Sequence, residues 1–185
     1  MKIEVRKLEH SMQLREVTKE QFIKCITDKD GFAKTFVAKC DMLKGWEKVV
    51  GAYIDGELAG AILVTIAKKK IANLQLLHTF YKFRGKGVAR ELCNYGLSYA
   101  IKSSASYFRV SSEIEAIPFY EKIGIQFLGK QKSGCQLAMF EITSLKFEEN
   151  NYELDDVIYK EMNRKGKGGC VEIFQRKFKK GLDIY

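Results

Sequence analysis

Apolar and polar residues alternate along much of the chain, and in a few stretches the spacing lengthens to three or four residues. Residues 2–9, KIEVRKLE, alternate and predict a strand. Leu14, Val17, Phe22, Ile23 and Ile26 approach a 3.6-residue spacing and predict a helix over 11–27, with a second over 32–44. Between Trp46 and Lys69 two β-rich runs meet at Asp55-Gly56, a dipeptide suited to the positive φ angles of a tight turn, so this segment reads as an antiparallel hairpin. A third run, IANLQLLHTFY over 71–81, should pair beside it. Ala89, Cys93, Leu97 and Ile101 then recur every fourth residue, with Val88 and Leu92 adjoining, which predicts an amphipathic helix over 87–103. After it come a short strand, SYFRVSS, and a short helix, IPFYEKIG, with Pro118 in its first turn and Gly124 as its stop. The runs IQFLGKQ and CQLAMFEIT predict two further strands joined by Lys132-Ser133-Gly134.

This order of elements predicts a mixed α/β (α+β) fold, and 185 residues suffice for one domain with a core of its own. No apolar run approaches the ~20 residues of a membrane span, and the N-terminus lacks the apolar stretch of a secretory signal. Five cysteines without C-x-x-C spacing predict neither a disulfide framework nor a zinc site. The expectation is a cytoplasmic protein with reduced thiols and no metal. The net charge is +9, and its excess is concentrated late. Lys160, Arg164, Lys165, Lys167, Arg176, Lys177, Lys179 and Lys180 face only Glu161 and Glu172. Such a field attracts anions without choosing among nucleic acid, lipid and a charged cofactor.

The chemistry concentrates in KFRGKGVAREL, residues 82–92, where a strand, a basic glycine turn and a helix follow one another. Amides in the first turn of a helix point outward, and the helix dipole adds partial positive charge, so this layout makes an anion cradle. Gly85 and Gly87 would let the main chain approach a ligand, while Arg84 and Lys86 add charge. No Walker sequence G-x-x-x-x-G-K-[ST] occurs. A dinucleotide fingerprint is disfavoured because Arg90 stands at the third small position and Phe80–Arg84 separates the strand from the glycines. A basic surface turn that binds nothing stays open on these residues alone.

The segment Thr79–Ala89 resembles the acetyl-CoA-binding motif R/Q-x-x-G-x-G/A of the GCN5-related N-acetyltransferase (GNAT) superfamily, with Arg84, Gly87 and Ala89 at its defined positions. About thirty residues later, Ala116-Ile117-Pro118-Phe119-Tyr120-Glu121-Lys122-Ile123-Gly124 is similar to the superfamily's second signature, A-x-x-F-Y-E-K-x-G-F. The resemblance covers about 45–142. It implies the GNAT fold, a central mostly antiparallel sheet with a splayed parallel strand pair flanked by helices. It also implies an acyltransferase domain over 1–146 and leaves 147–185 as a basic C-terminal extension.

The implied activity is transfer of an acetyl or other acyl group from acyl-CoA to an unidentified amine acceptor by direct attack. Thr79, Phe80 and Tyr81 would offer backbone groups to the pantetheine arm and acyl carbonyl. The amides of Arg84, Gly85, Lys86, Gly87, Val88 and Ala89 would hold the pyrophosphate, with Phe119 and Lys122 of the second signature also beside the cofactor. Tyr120 is placed to protonate the leaving thiolate, the alternative being that it only packs beside Phe119. No carboxylate stands on the strand before the glycine turn. Proton removal from the amine therefore falls to His78, to Glu113 (which could instead orient the amine or cap the next helix) or to water. Ile125 replaces the usual aromatic after Gly124, although Phe127 could fill its space, and Tyr81 stands where many relatives have proline. Trp46, Phe32, Phe36 and Tyr53 could line an acceptor wall or lie in the core. Two further classes remain open: a nucleic-acid-associated protein that modifies a nucleobase amine or tRNA, or docks through its basic tail with Phe174 and Phe178 as stacking groups, and a CoA-binding module that has lost catalysis. A homodimer is also open, and no membrane partner is expected.

Overall fold

A computed structural model describes residues 12–67 and 70–142. The predicted strand over 2–9 and the basic extension over 147–185 lie outside these residues. Seven strands form one sheet: β1 (Met12–Glu16), β2 (Val49–Ile54), β3 (Glu57–Ala67), β4 (Ile71–Thr79), β5 (Tyr107–Ser112), β6 (Gly129–Lys130) and β7 (Gln136–Glu141), in the order β1-β2-β3-β4-β5-β7-β6. The helices flanking it are α1 (Lys19–Lys24), α2 (Gly31–Met42), α3 (Val88–Lys102) and α4 (Ile117–Lys122). β4 and β5 form the parallel pair, and the sheet is otherwise mostly antiparallel. The expected mixed fold is therefore present.

Two compact units share these elements. Among the described residues, the first comprises 12–63 together with Leu76–Leu92. Its hairpin turns at Asp55 (φ 51°) and Gly56 (φ 82°), the left-handed conformations that a two-residue hairpin turn demands. One face of its strands packs under α1 and α2, where Phe22 stacks on Phe36 at 4.5 Å and meets Phe80 at 5.0 Å and Trp46 at 5.8 Å. Phe36 and Tyr53 are buried, so these two candidate acceptor-wall residues belong to the core.

The predicted helix over 11–27 is corrected. Residues 12–16 pair with β2 from Met12↔Ile54 to Glu16↔Val50, and only Lys19–Lys24 is helical. Thr18 sets the helix start through a reciprocal capping box with Gln21, which satisfies two backbone donors at once. The apparent helical spacing of Leu14 and Val17 arises from an edge strand that leaves Leu14 partly exposed.

Among the described residues, the second unit comprises 64–67, 70–75 and 93–142. β4 and β5 run in register from Ile71↔Tyr107 to Leu74↔Val110, and β5 pairs on its other side with β7. Phe108 and Phe140 pack at 5.6 Å in its core. The strand expected over 125–131 shrinks to Gly129–Lys130. Ile125 is occupied with closing α4, its amide donating to the Tyr120 carbonyl at 2.9 Å after Gly124 turns at φ 90°.

Candidate active site

The glycine turn takes the conformation its sequence predicts. β4 ends at Thr79, Phe80 is extended and buried, and a short 3-10 turn over Tyr81–Phe83 leads to Arg84. Gly85 and Gly87 have φ of 78° and 80°, the left-handed region where a side chain costs about 1–2 kcal/mol. Apart from chain neighbours, no atom lies within 4 Å of where a Cβ would stand at either glycine, so the backbone is bare toward open space. Val88 then anchors the start of α3, nearly fully buried, and Ala89 is half-buried. Fifteen residues of α3 stand behind this turn, so its dipole and outward first-turn amides are those of a full helix.

The cations have partners of their own. Lys82 pairs with Glu57, and Lys86 lies 5.4 Å from the Phe83 ring centre. Arg84 lies over the exposed Tyr81 ring at 5.3 Å, and its Nε reaches the Thr79 carbonyl at 3.5 Å. Lys29, from the α1–α2 connection, also lies over the Tyr81 ring, at 4.8 Å.

His78 occupies the buried face of β4 that also carries Leu76, packed against Phe22, Phe32 and Phe80. It is 4% exposed, and its Nε2 has no hydrogen-bond partner. The nearest charge is Asp30 Oδ1 at 3.5 Å, too long for a good hydrogen bond. Burial pushes the His78 pKa down, Arg84 acts in the same direction, and Asp30 opposes both. The imidazole is neutral near pH 7, yet it is shielded from any acceptor on the surface.

Asp30 itself is missing from the sequence expectations. Immediately before α2 it looks like a helix cap, but its carboxylate makes no cap bond. Oδ2 accepts from the Thr27 amide at 3.0 Å and the Thr27 hydroxyl at 2.6 Å, and Oδ1 accepts from the Tyr81 amide at 2.7 Å. Burial raises its pKa, but the Thr27 hydroxyl, the two amides and His78 outweigh that effect and hold it below the ordinary value.

In the second unit, Tyr120 is 5% exposed on α4, edge-on to Phe119 at 5.0 Å and to Phe127 at 6.0 Å. Phe127 thus supplies the aromatic contact and Ile125 is buried. Burial, with a smaller effect from Cys93, raises the Tyr120 pKa well above 10, which keeps the phenol protonated. Phe119 is half-buried and Lys122 exposed. Glu113 is exposed and makes no side-chain cap to the turn that follows it, so helix capping does not account for it. Among the described residues no group of three His, Cys, Asp or Glu could hold a metal ion, and no helix is long and apolar enough to cross a membrane.

A mixed sheet with one parallel pair, whose first parallel strand opens into a left-handed glycine turn and a long helix, is the architecture that the GNAT resemblance implied. The chain matches the family described as "Acetyltransferase (GNAT) domain" over residues 13–142, and it belongs to that family. Among solved structures it is similar to Ard1 from Thermoplasma volcanium, at 18% identity with a TM-score of 0.59, covering 72% of this chain and 99% of that one. It is similar also to the PaiA N-acetyltransferase from Thermoplasma acidophilum in complex with coenzyme A, at 14% identity and TM-score 0.55, covering 71% and 99%. A Bacillus subtilis acetyltransferase in complex with CoA shows 14% identity and TM-score 0.55, with coverage of 72% and 99%. No curated protein matches the chain.

Proposed function

We propose that this protein is an acyl-CoA-dependent N-acyltransferase that takes acetyl-CoA as its donor, with the GNAT domain spanning 1–146. The observation that carries the reading is the bare left-handed turn at Gly85 and Gly87 in front of α3, a main-chain surface built to meet an anion. Two of the similar structures were determined with coenzyme A bound, which supports the same ligand here.

In this reading the amides of Gly85, Gly87, Val88 and Ala89 hold the pyrophosphate, those of Arg84 and Lys86 being taken up by the Tyr81 and Phe83 carbonyls. Thr79–Tyr81 offer carbonyl groups to the pantetheine, since the Phe80 and Tyr81 amides are given to the Ala59 carbonyl and to Asp30. Phe119 and Lys122 stay candidate cofactor contacts. A neutral amine attacks the thioester carbonyl: a C–N bond forms, the C–S bond breaks, and the electron pair leaves on sulfur. The amine loses one proton and the thiolate gains one. Tyr120 serves the sulfur. Because burial raises its pKa well above 10, and a thiol's is near 8.5, it donates a hydrogen bond to the departing thiolate, which then takes its proton from solvent, balancing the one the amine releases. The amine proton leaves to water or through Glu113, since the His78 Nε2 is itself buried behind Phe22, Phe32 and Phe80.

The test is incubation of the full chain with acetyl-CoA and a panel of small amines, peptides, tRNA and DNA, read by acceptor mass and free-thiol release. A +42 Da acceptor with stoichiometric thiol is expected. Coenzyme A binding without any transfer would indicate a non-catalytic binding module, and no coenzyme A binding would overturn the reading.

A further inference from the structure

Asp30 is 2% exposed, and its carboxylate has a different task at each oxygen. Oδ2 is saturated by Thr27, which stiffens the α1–α2 connection. Oδ1 reaches across 51 residues of chain to the amide of Tyr81, the first residue of the 3-10 turn that aims β4 into the glycine loop. That amide opens a 3-10 turn and so has no carbonyl three residues back within the turn to receive it. His78 Nε2 lies 3.5 Å from Asp30 Oδ1, and the Lys29 ammonium 4.8 Å from the Tyr81 ring centre. A buried, ionised carboxylate accepting a main-chain N–H is among the stronger hydrogen bonds a protein makes.

We propose that Asp30 is a positioning residue for acyl-CoA, acting through the Tyr81 amide to fix the backbone path from Thr79 to Gly87. The proposal rests on the acyl-CoA reading above. Asp30 touches neither donor nor acceptor in it; the residue sets how well the cradle is formed before the cofactor arrives. Losing the contact lets the 3-10 turn fray, so that cofactor binding must order the loop each time, and affinity falls while the rate of the saturated complex is kept.

Tyr81→Pro gives an independent handle. Proline has no N–H to give Asp30, and it fixes φ by itself. Phe80 already has φ −60° and ψ 141°, the extended conformation required before proline. The experiment measures coenzyme A affinity by calorimetry and acetyl-CoA KM and kcat for wild type, Asp30→Ala, Asp30→Asn, Tyr81→Pro and Asp30→Ala/Tyr81→Pro. Asp30→Ala should weaken coenzyme A binding and raise KM about tenfold with kcat nearly unchanged, the size expected for a lost charged hydrogen bond. Asp30→Asn, which keeps one acceptor oxygen for the Tyr81 amide but turns its NH2 toward the Thr27 amide, should recover part of the loss. In the proline background Asp30→Ala should cost less than about twofold.

If Asp30→Ala lowers kcat and leaves KM alone, or costs the same in the proline background, the positioning role is wrong. Absence of coenzyme A binding by the wild-type chain would instead overturn the acyl-CoA reading. Should Asp30→Ala unfold, the Tyr81→Pro and Asp30→Asn arms still decide. Asp30→Asn binding as poorly as a chain with the cradle blocked at Gly87 would then count against the proposal.

Discussion

Replacing Gly87 with valine tests whether main-chain amides or surface cations hold the anion. At φ 80° a β-branched residue enters a region that costs about 1–2 kcal/mol or more. Against an ordinary folding stability of about 5–15 kcal/mol the chain should remain folded, with its melting temperature lowered by a few degrees. Apart from its chain neighbours nothing lies within 4 Å of the new Cβ, and the side chain projects into the open space that the proposed pyrophosphate needs. Arg84→Ala, by contrast, removes an exposed guanidinium whose contacts are a ring face at 5.3 Å and a long hydrogen bond at 3.5 Å. An exposed charge of this kind is worth about 0–1 kcal/mol, at most a fivefold change in affinity. Coenzyme A titrated calorimetrically into both variants should bind at least tenfold more weakly to Gly87→Val and less than fivefold more weakly to Arg84→Ala. The reverse ranking, with both proteins folded by circular dichroism, would show that side-chain charge and not backbone geometry makes the site.

Tyr120→Phe should lower kcat by about 100-fold or more while leaving coenzyme A affinity within a factor of about two, measured by steady-state kinetics and calorimetry; unchanged kcat would reduce Tyr120 to a packing residue. Gly60→Val should destabilise the fold by about 1–3 kcal/mol in a denaturant titration, because its Cβ would stand 2.5 Å from the His78 carbonyl and 2.9 Å from a Val88 methyl. Thr18→Ala should cost about 1 kcal/mol by the same titration through loss of the capping box. His78 predicts a pH dependence. Its folded pKa lies below the unfolded value of 6.5, so the unfolded chain takes up the proton first, and the stability is complete above 6.5 and declines as the pH falls below it. The charged groups acting on the ring are Asp30 and Arg84, and the slope should stay under about 1.4 kcal/mol per pH unit. Melting temperatures at pH 7.5 and 5.5 should converge in His78→Gln relative to wild type; equal slopes would contradict the assignment.

How far these features could be read in the sequence depends on how local their causes are. The hairpin at Asp55-Gly56, the helix behind Gly87 and the glycine turn itself rest on residues within one turn of each other, and each was legible. The misplaced first helix had a local signal as well. Thr18 and Gln21 form a capping box, which marks a helix start more sharply than the drifting apolar spacing of Leu14, Val17 and Phe22. The short β6 was harder, because the spending of Ile125's amide on the end of α4 is visible only once the helix is built.

His78 and Asp30 show where local reading stops. Alternation along β4 puts His78 on one face or the other but cannot say which face is buried, and only the packing of Phe22 and Phe32 decides it. Asp30 stands where an aspartate most often caps a helix, and the partner that gives its carboxylate another task lies 51 residues away. A group that binds through backbone amides leaves a glycine signature. A group that holds those amides in place from a distant loop leaves none, because any acceptor of the right length, delivered by any nearby element, would serve. On the acyl-CoA reading proposed above, the cradle is therefore written in Gly85 and Gly87, while the contact proposed to keep it formed is written in the fold.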